Sequence, residues 1–137
     1  AFRPGEADPT GATILVAEDD PSVREMAVQI LESAGFRTIV ACDGLEASEK
    51  FLRHADEVDL AFLDVVMPKV SGRAVADTIR ALNDRIPILL CTGYDFNILG
   101  GSLDLGDHCD VIRKPYSPET LLRIIRGILD RGPVDSQ

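Results

Sequence analysis

The sequence predicts an α/β fold, a parallel sheet of five strands with helices on both faces. Five strand candidates, at residues 13–17, 37–41, 59–63, 87–91 and 110–113, alternate with segments of helical periodicity. Strands that alternate with helices favour right-handed crossovers and a parallel sheet covered on both faces. The runs are short and the intervening segments long enough for one helix each, so a single domain suffices for the 137 residues.

The helix starts follow from local chemistry. Asp20 can cap a first helix that has Pro21 at its first position, puts Val23, Ala27, Ile30, Leu31 and Ala34 on one face, and stops at Gly35. Asp43 and Glu46 have capping-box spacing before a second helix that presents Leu45, Phe51 and Leu52. Ser71 starts a third, with Val75, Ile79 and Leu82 inward, and Ser117 followed by Pro118 starts the last, with Leu121, Ile125 and Ile128 on its inner stripe. Between the fourth and fifth strands, residues 95–107 contain Gly100, Gly101 and Gly106. Each lowers helix propensity by about 1 kcal/mol relative to Ala, so a helix there is expected to be short or irregular.

Residues 1–11 carry two prolines and two glycines without apolar periodicity and read as a linker; residues 12–131 form the domain, and 132–137 a loop-like tail. A net charge of −9 argues against direct nucleic-acid binding, which rests on neutralising phosphates with Lys and Arg. No stretch is long and apolar enough for a membrane span and no secretory signal is evident, so a cytoplasmic location is expected. The three cysteines, Cys42, Cys91 and Cys109, show no C-x-x-C spacing; Cys91 ends an apolar run and reads as a small buried hydrophobe. His54 and His108 lack ligand neighbours at metal spacing and are given surface or loop roles.

The chemistry lies at the strand ends. Glu18 and Asp19 end the run Ile14-Leu15-Val16-Ala17, and Asp64 ends Leu60-Ala61-Phe62-Leu63. If these runs are neighbouring parallel strands, three carboxylates converge where open α/β sheets bind ligands. Such mutual repulsion makes sense with a cation present and a task for one oxygen. A carboxylate can take up a phosphoryl group, and Mg2+ suits an oxygen-only site in which Asp19 and Asp64 are ligands and Glu18 orients a metal-bound water. Thr92 and Lys114 stand at two further strand ends, where a hydroxyl and an ammonium can each serve a phosphoryl oxygen. Asp20 adjoins the acidic pair but reads as a helix cap.

At these residues the chain resembles a receiver domain of the two-component response-regulator superfamily. The matching pieces are Ile-Leu-Val-Ala-Glu-Asp-Asp-Pro (14–21), Leu-Asp-Val-Val-Met-Pro-Lys-Val-Ser-Gly (63–72), Cys-Thr-Gly-Tyr (91–94) and Lys-Pro-Tyr (114–116). The resemblance implies a flavodoxin-like (βα)5 three-layer sandwich with strand order 2-1-3-4-5. It puts the acidic pair on Glu18 and Asp19, the phosphoacceptor on Asp64, the switch hydroxyl on Thr92 and the family's lysine on Lys114. It adds the main-chain carbonyl of Val66 to the Mg2+ ligands and gives Met67, Pro68 and Gly72 the shaping of the loop below. The implied partner is a histidine kinase or a histidine phosphotransfer protein.

Departures from the family pattern refine this. Val111 stands where many members carry an aromatic residue, so a rearrangement is expected in the region of residues 92–110 instead. Val66 and Tyr94, two residues beyond Asp64 and Thr92, are expected to hinder hydrolytic water and lengthen the phosphoaspartate lifetime. Kinase specificity is assigned to Val23, Arg24 and Ala27 on the first helix and to the loop after Lys114.

Three other readings fit less well. An aspartate-dependent phosphohydrolase needs a second Asp two residues on, where this chain has Val66; a flavin module would meet repulsion from Glu18, Asp19 and Asp20; a degenerate receiver normally lacks a site residue. For the parent protein, the loop sequences favour a hybrid histidine kinase, with a regulator carrying an output domain or a stand-alone receiver as the alternatives. The domain itself is read as a self-modifying switch, closer to that than to a turnover enzyme, and its oligomeric state is left open.

Overall fold

A computed structural model of the chain describes residues 11–93 and 109–131. Strands β1 (Thr13–Ala17), β2 (Arg37–Ala41), β3 (Leu60–Asp64), β4 (Ile88–Thr92) and β5 (Cys109–Arg113) form one parallel sheet in the order β2-β1-β3-β4-β5. Helices α1 (Pro21–Ser33), α2 (Gly44–His54), α3 (Gly72–Leu82) and α4 (Pro118–Asp130) complete the described elements. The segment 95–107, the tail and all of the expected linker but Gly11 lie outside the described residues.

Each central strand feeds two cores, because successive side chains point to opposite faces. Ile14, Val16, Leu60, Phe62, Leu89 and Cys91 pack with α1 and α4. Leu15, Ala17, Ala61, Leu63, Ile88 and Leu90 pack with α2 and α3. All five residues of β1, β3 and β4 are buried, whereas β2 at the sheet edge runs from an exposed Arg37 to a buried Ala41. Continuous apolar sequence and burial on both faces thus coincide.

The caps form as the sequence predicts. The Asp20 carboxylate accepts from the amides of Ser22 and Val23 at 2.9 and 3.4 Å, with Pro21 in the first turn, and Ser71 and Ser117 accept from Ala74 and Thr120, each at 3.1 Å. At α2 the Asp43 carboxylate accepts from the Glu46 amide at 2.8 Å, but Glu46 reaches back to the amide of Cys42 rather than to that of the cap residue.

Three inward assignments are corrected. Leu45, Leu52 and Leu82 are exposed; the inner face of α2 is Gly44, Ala47 and Phe51, and that of α3 is Gly72, Val75, Ala76 and Ile79. Small residues set the phase of α2, since only they allow its first turn to lie close to the loop that follows β3. An ideal Cβ on Gly44 would fall 1.7 Å from the carbonyl oxygen of Val70. Lys69, in the left-handed region at φ 71°, pairs with Asp43 at 3.4 Å in the same junction.

Substituting Gly44→Ala is expected to lower unfolding stability by about 2 kcal/mol, because main chain must move to admit the methyl. Gly127→Ala, in mid-α4 with open space around its Cβ position, is expected to raise it by about 1 kcal/mol. Urea unfolding of the two variants checks both signs.

Candidate functional site

The sheet register assembles the site. Ala17 is paired with Leu63 across β1 and β3, so Glu18 and Asp64 are the next residues on adjacent strands. Asp64 is paired with Cys91, one residue before Thr92, and Thr92 with Arg113, one residue before Lys114. β3 and β4 each end one residue later than the apolar runs suggest, since Asp64 and Thr92 still belong to the ladder: Val65 donates to the Cys91 carbonyl at 3.0 Å and Lys114 to that of Thr92 at 2.9 Å.

Glu18, Asp64 and Thr92 are buried, and Asp19 is exposed. One carboxylate oxygen from each of Glu18, Asp19 and Asp64 lies within 4.8 Å of the others. Lys114 reaches into this cluster, its Nζ 2.6 Å from Glu18 Oε1 and 3.2 Å from Asp64 Oδ2. The second Glu18 oxygen accepts from the Asp20 amide at 3.2 Å. Asp64 Oδ1 takes a long contact, 3.4 Å, from the amide of Val66. Val66 itself is 64% exposed, and the loop beneath is held by Gly72, whose amide donates to the Val65 carbonyl at 3.0 Å and whose missing Cβ would lie 2.1 Å from the carbonyl oxygen of Asp64.

Charge in this pocket is strongly coupled. Burial pushes the Glu18 carboxyl up and the neighbouring Asp64 carboxylate adds to this, against the opposing pull of Lys114 and the Asp20 amide. For Lys114, burial works against the charged form, but Glu18 and Asp64 overcome it and hold the ammonium above the ordinary lysine range. Burial also pushes the Cys91 thiol up to about 12, aided by the two carboxylates and opposed by Lys114. Cys91 is therefore a protonated core residue, as expected from its apolar run. His54 sits on the surface beside Glu57 at 2.6 Å.

An all-oxygen cluster of three acids with one half-buried lysine has the composition that a hard cation and a phosphoryl group require. Tyr94 and His108 lie outside the described residues. One assignment on α1 changes, and a second residue there makes a contact that was not anticipated. Ala27 is buried and packs in the core, so it has no surface to offer a kinase. Arg24 turns back to the acidic loop, its Nη1 donating to the Glu18 carbonyl at 3.0 Å. Its spacing, one helical turn past Asp20, was the available signal for this contact.

The fold and this acidic pocket define a phosphoacceptor domain. The chain belongs to the response regulator receiver domain family, whose model matches residues 14–126. It is 37% identical over 123 residues to the response regulator MprA of Mycobacterium leprae, covering 89% of this chain and 53% of that protein. It is 38% identical over 119 residues to the probable transcriptional regulator ycf27 of Galdieria sulphuraria, covering 86% and 45%. A receiver domain from Francisella, response regulator 1452, superposes with a TM-score of 0.72 at 28% identity, covering 88% of this chain and 98% of that one. The chain spans about half the length of the curated relatives it matches. Its role is that of a receiver in two-component signalling, and receivers of this family are phosphorylated by histidine kinases or phosphotransfer proteins. No helix among the described residues is long and apolar enough to cross a membrane.

The raised Glu18 pKa has a sign that can be tested in EDTA. The folded protein binds a proton there more readily than the unfolded chain, so stability falls as pH rises from the ordinary value near 4.5 through the raised one. Glu18→Gln carries no such loss. Its melting midpoint is expected to vary less with pH across this window than that of the wild type, as read from thermal melts at a series of pH values.

Proposed function

We propose that Asp64 is the phosphoacceptor, that Asp19, Asp64 and the main-chain carbonyl of Val66 hold Mg2+, and that Glu18 orients a metal-bound water. The observation that carries this reading is the convergence of Glu18, Asp19 and Asp64 to within 4.8 Å of one another, with the Lys114 ammonium against Glu18 and Asp64. Both Glu18 oxygens already have partners, Lys114 and the Asp20 amide, which supports the indirect role over direct ligation. Mg2+, when bound, would neutralise charge on the acceptor and on the phosphoryl oxygens.

In transfer, an Asp64 carboxylate oxygen forms the new bond to phosphorus while the phosphorus–nitrogen bond of a phosphohistidine breaks, and the electron pair leaves with the imidazole. Lys114, already directed at Asp64, pairs with one phosphoryl oxygen, and the Thr92 hydroxyl donates to another. Burial excludes bulk water from these contacts and strengthens them. A histidine kinase or a histidine phosphotransfer protein supplies the phosphoryl group. The residues 12–131 constitute the switch, with 1–11 as linker and 132–137 as tail.

Cytoplasmic placement belongs to the same reading, and the exposed free thiol of Cys42 fits a reducing compartment. For the whole protein, the half-length match to response regulators supports a regulator with a further output region, beside the hybrid kinase that the loop sequences favour.

Incubating the chain with a radiolabelled phosphodonor and Mg2+ is expected to label wild type and leave Asp64→Asn unlabelled, with EDTA abolishing the signal. Lys114→Met and Thr92→Val should each slow labelling by about a hundredfold, as loss of one donor to a transferring group does. Labelling of Asp64→Asn at the wild-type rate would end the assignment. Val66→Asn replaces an exposed apolar group beside the acceptor with one that can hold water; the half-life of the labelled protein, followed after donor removal, is expected to shorten severalfold.

A further inference from the structure

Arg24 has a contact that kinase recognition does not explain. Its guanidinium Nη1 donates to the main-chain carbonyl of Glu18 at 3.0 Å and, at the limit of hydrogen-bond length, to that of Asp19 at 3.5 Å. The residue is half-buried and rooted in the first turn of α1, where its own amide donates to the Asp20 carbonyl at 2.8 Å. On the other side, the Glu18 amide donates to the Ala41 carbonyl of β2 at 3.2 Å. The backbone of the acidic pair is thus held between a strand and a helix side chain, whereas the exposed Asp19 carboxylate gains no fixing from burial.

We infer that Arg24 is a positioning residue of the metal site: its guanidinium clamps the carbonyls of Glu18 and Asp19 so that the acidic pair faces Asp64. The inference rests on the Mg2+ reading above and deepens it. Outer partners that orient metal ligands commonly contribute tenfold or more to affinity. Through-space electrostatics predicts the opposite sign, because a guanidinium near a cation site repels the cation and its removal should tighten binding. A residue that only recognises the kinase predicts no change at all in Mg2+ binding. The sign of one measurement therefore separates three roles.

The experiment is isothermal titration of MgCl2 into the metal-free 137-residue chain, as wild type, Arg24→Met and Arg24→Lys, with circular dichroism melts of each. Arg24→Met keeps the aliphatic stem and loses every donor; its Mg2+ affinity is expected to fall about tenfold. Arg24→Lys retains one donor group and is expected to be intermediate. Equal or tighter Mg2+ binding by a folded Arg24→Met would overturn the inference while leaving the Mg2+ site itself standing. Absence of Mg2+ binding by the wild type would overturn both. Should Arg24→Met fail to fold, Arg24→Lys decides: weakened Mg2+ binding with an unchanged metal-free melt supports the clamp, and wild-type affinity refutes it.

Discussion

Everything at the pocket depends on the parallel register that sets Glu18 beside Asp64 and brings Lys114 between them. Two buried carboxylates with an exposed third nearby repel one another, and burying charge costs several kcal/mol per ion unless it is paired. Lys114 supplies the pairing, at 2.6 Å from Glu18 and 3.2 Å from Asp64. The Glu18 carboxyl is raised first by burial and then by the neighbouring Asp64, and Lys114 offsets this only in part. The apolar core on both faces of β1 and β3 stabilises the fold enough to keep this unfavourable cluster in place.

The site also joins the two helical layers. The acidic loop after β1 is tied to β2 through the Glu18 amide and to α1 through Arg24. The loop after β3 is tied to α3 through Gly72 and pressed against α2 at Gly44. Lys114 enters from β5, just before α4 begins at Pro118. If Asp64 takes up the phosphoryl group as proposed, the new charge falls beside main chain that belongs to both faces of the sheet.

Much of this was legible in the sequence, because its strongest signals are local. Short strand-like segments, continuously apolar in the middle of the sheet and mixed at its borders, located all five strands to within a residue, and Asp20, Asp43, Ser71 and Ser117 announced the helix starts. The proposed site residues were picked out from their common place at strand ends, and the structure brings Glu18, Asp19, Asp64 and Lys114 together. What was missed depends on tertiary contact. Leu45, Leu52 and Leu82 looked like inward residues, but the phase of α2 is set by how closely Gly44 approaches Val70, a contact between segments distant in sequence. Ala27 looked available on α1 until its depth was known, and Arg24 carries a charge that sequence alone assigns to the surface.

The gradient of burial across the sheet bears on association. The outer strands carry exposed charge, Arg37 on β2 and Arg113 on β5, while the unbroken apolar strands are confined to the middle. A second chain that tried to add its own strand to either border would have to accommodate these guanidinium groups, one of the devices by which proteins discourage open-ended polymerisation. Growth of an open-ended β-ribbon from either border of the sheet is thereby disfavoured.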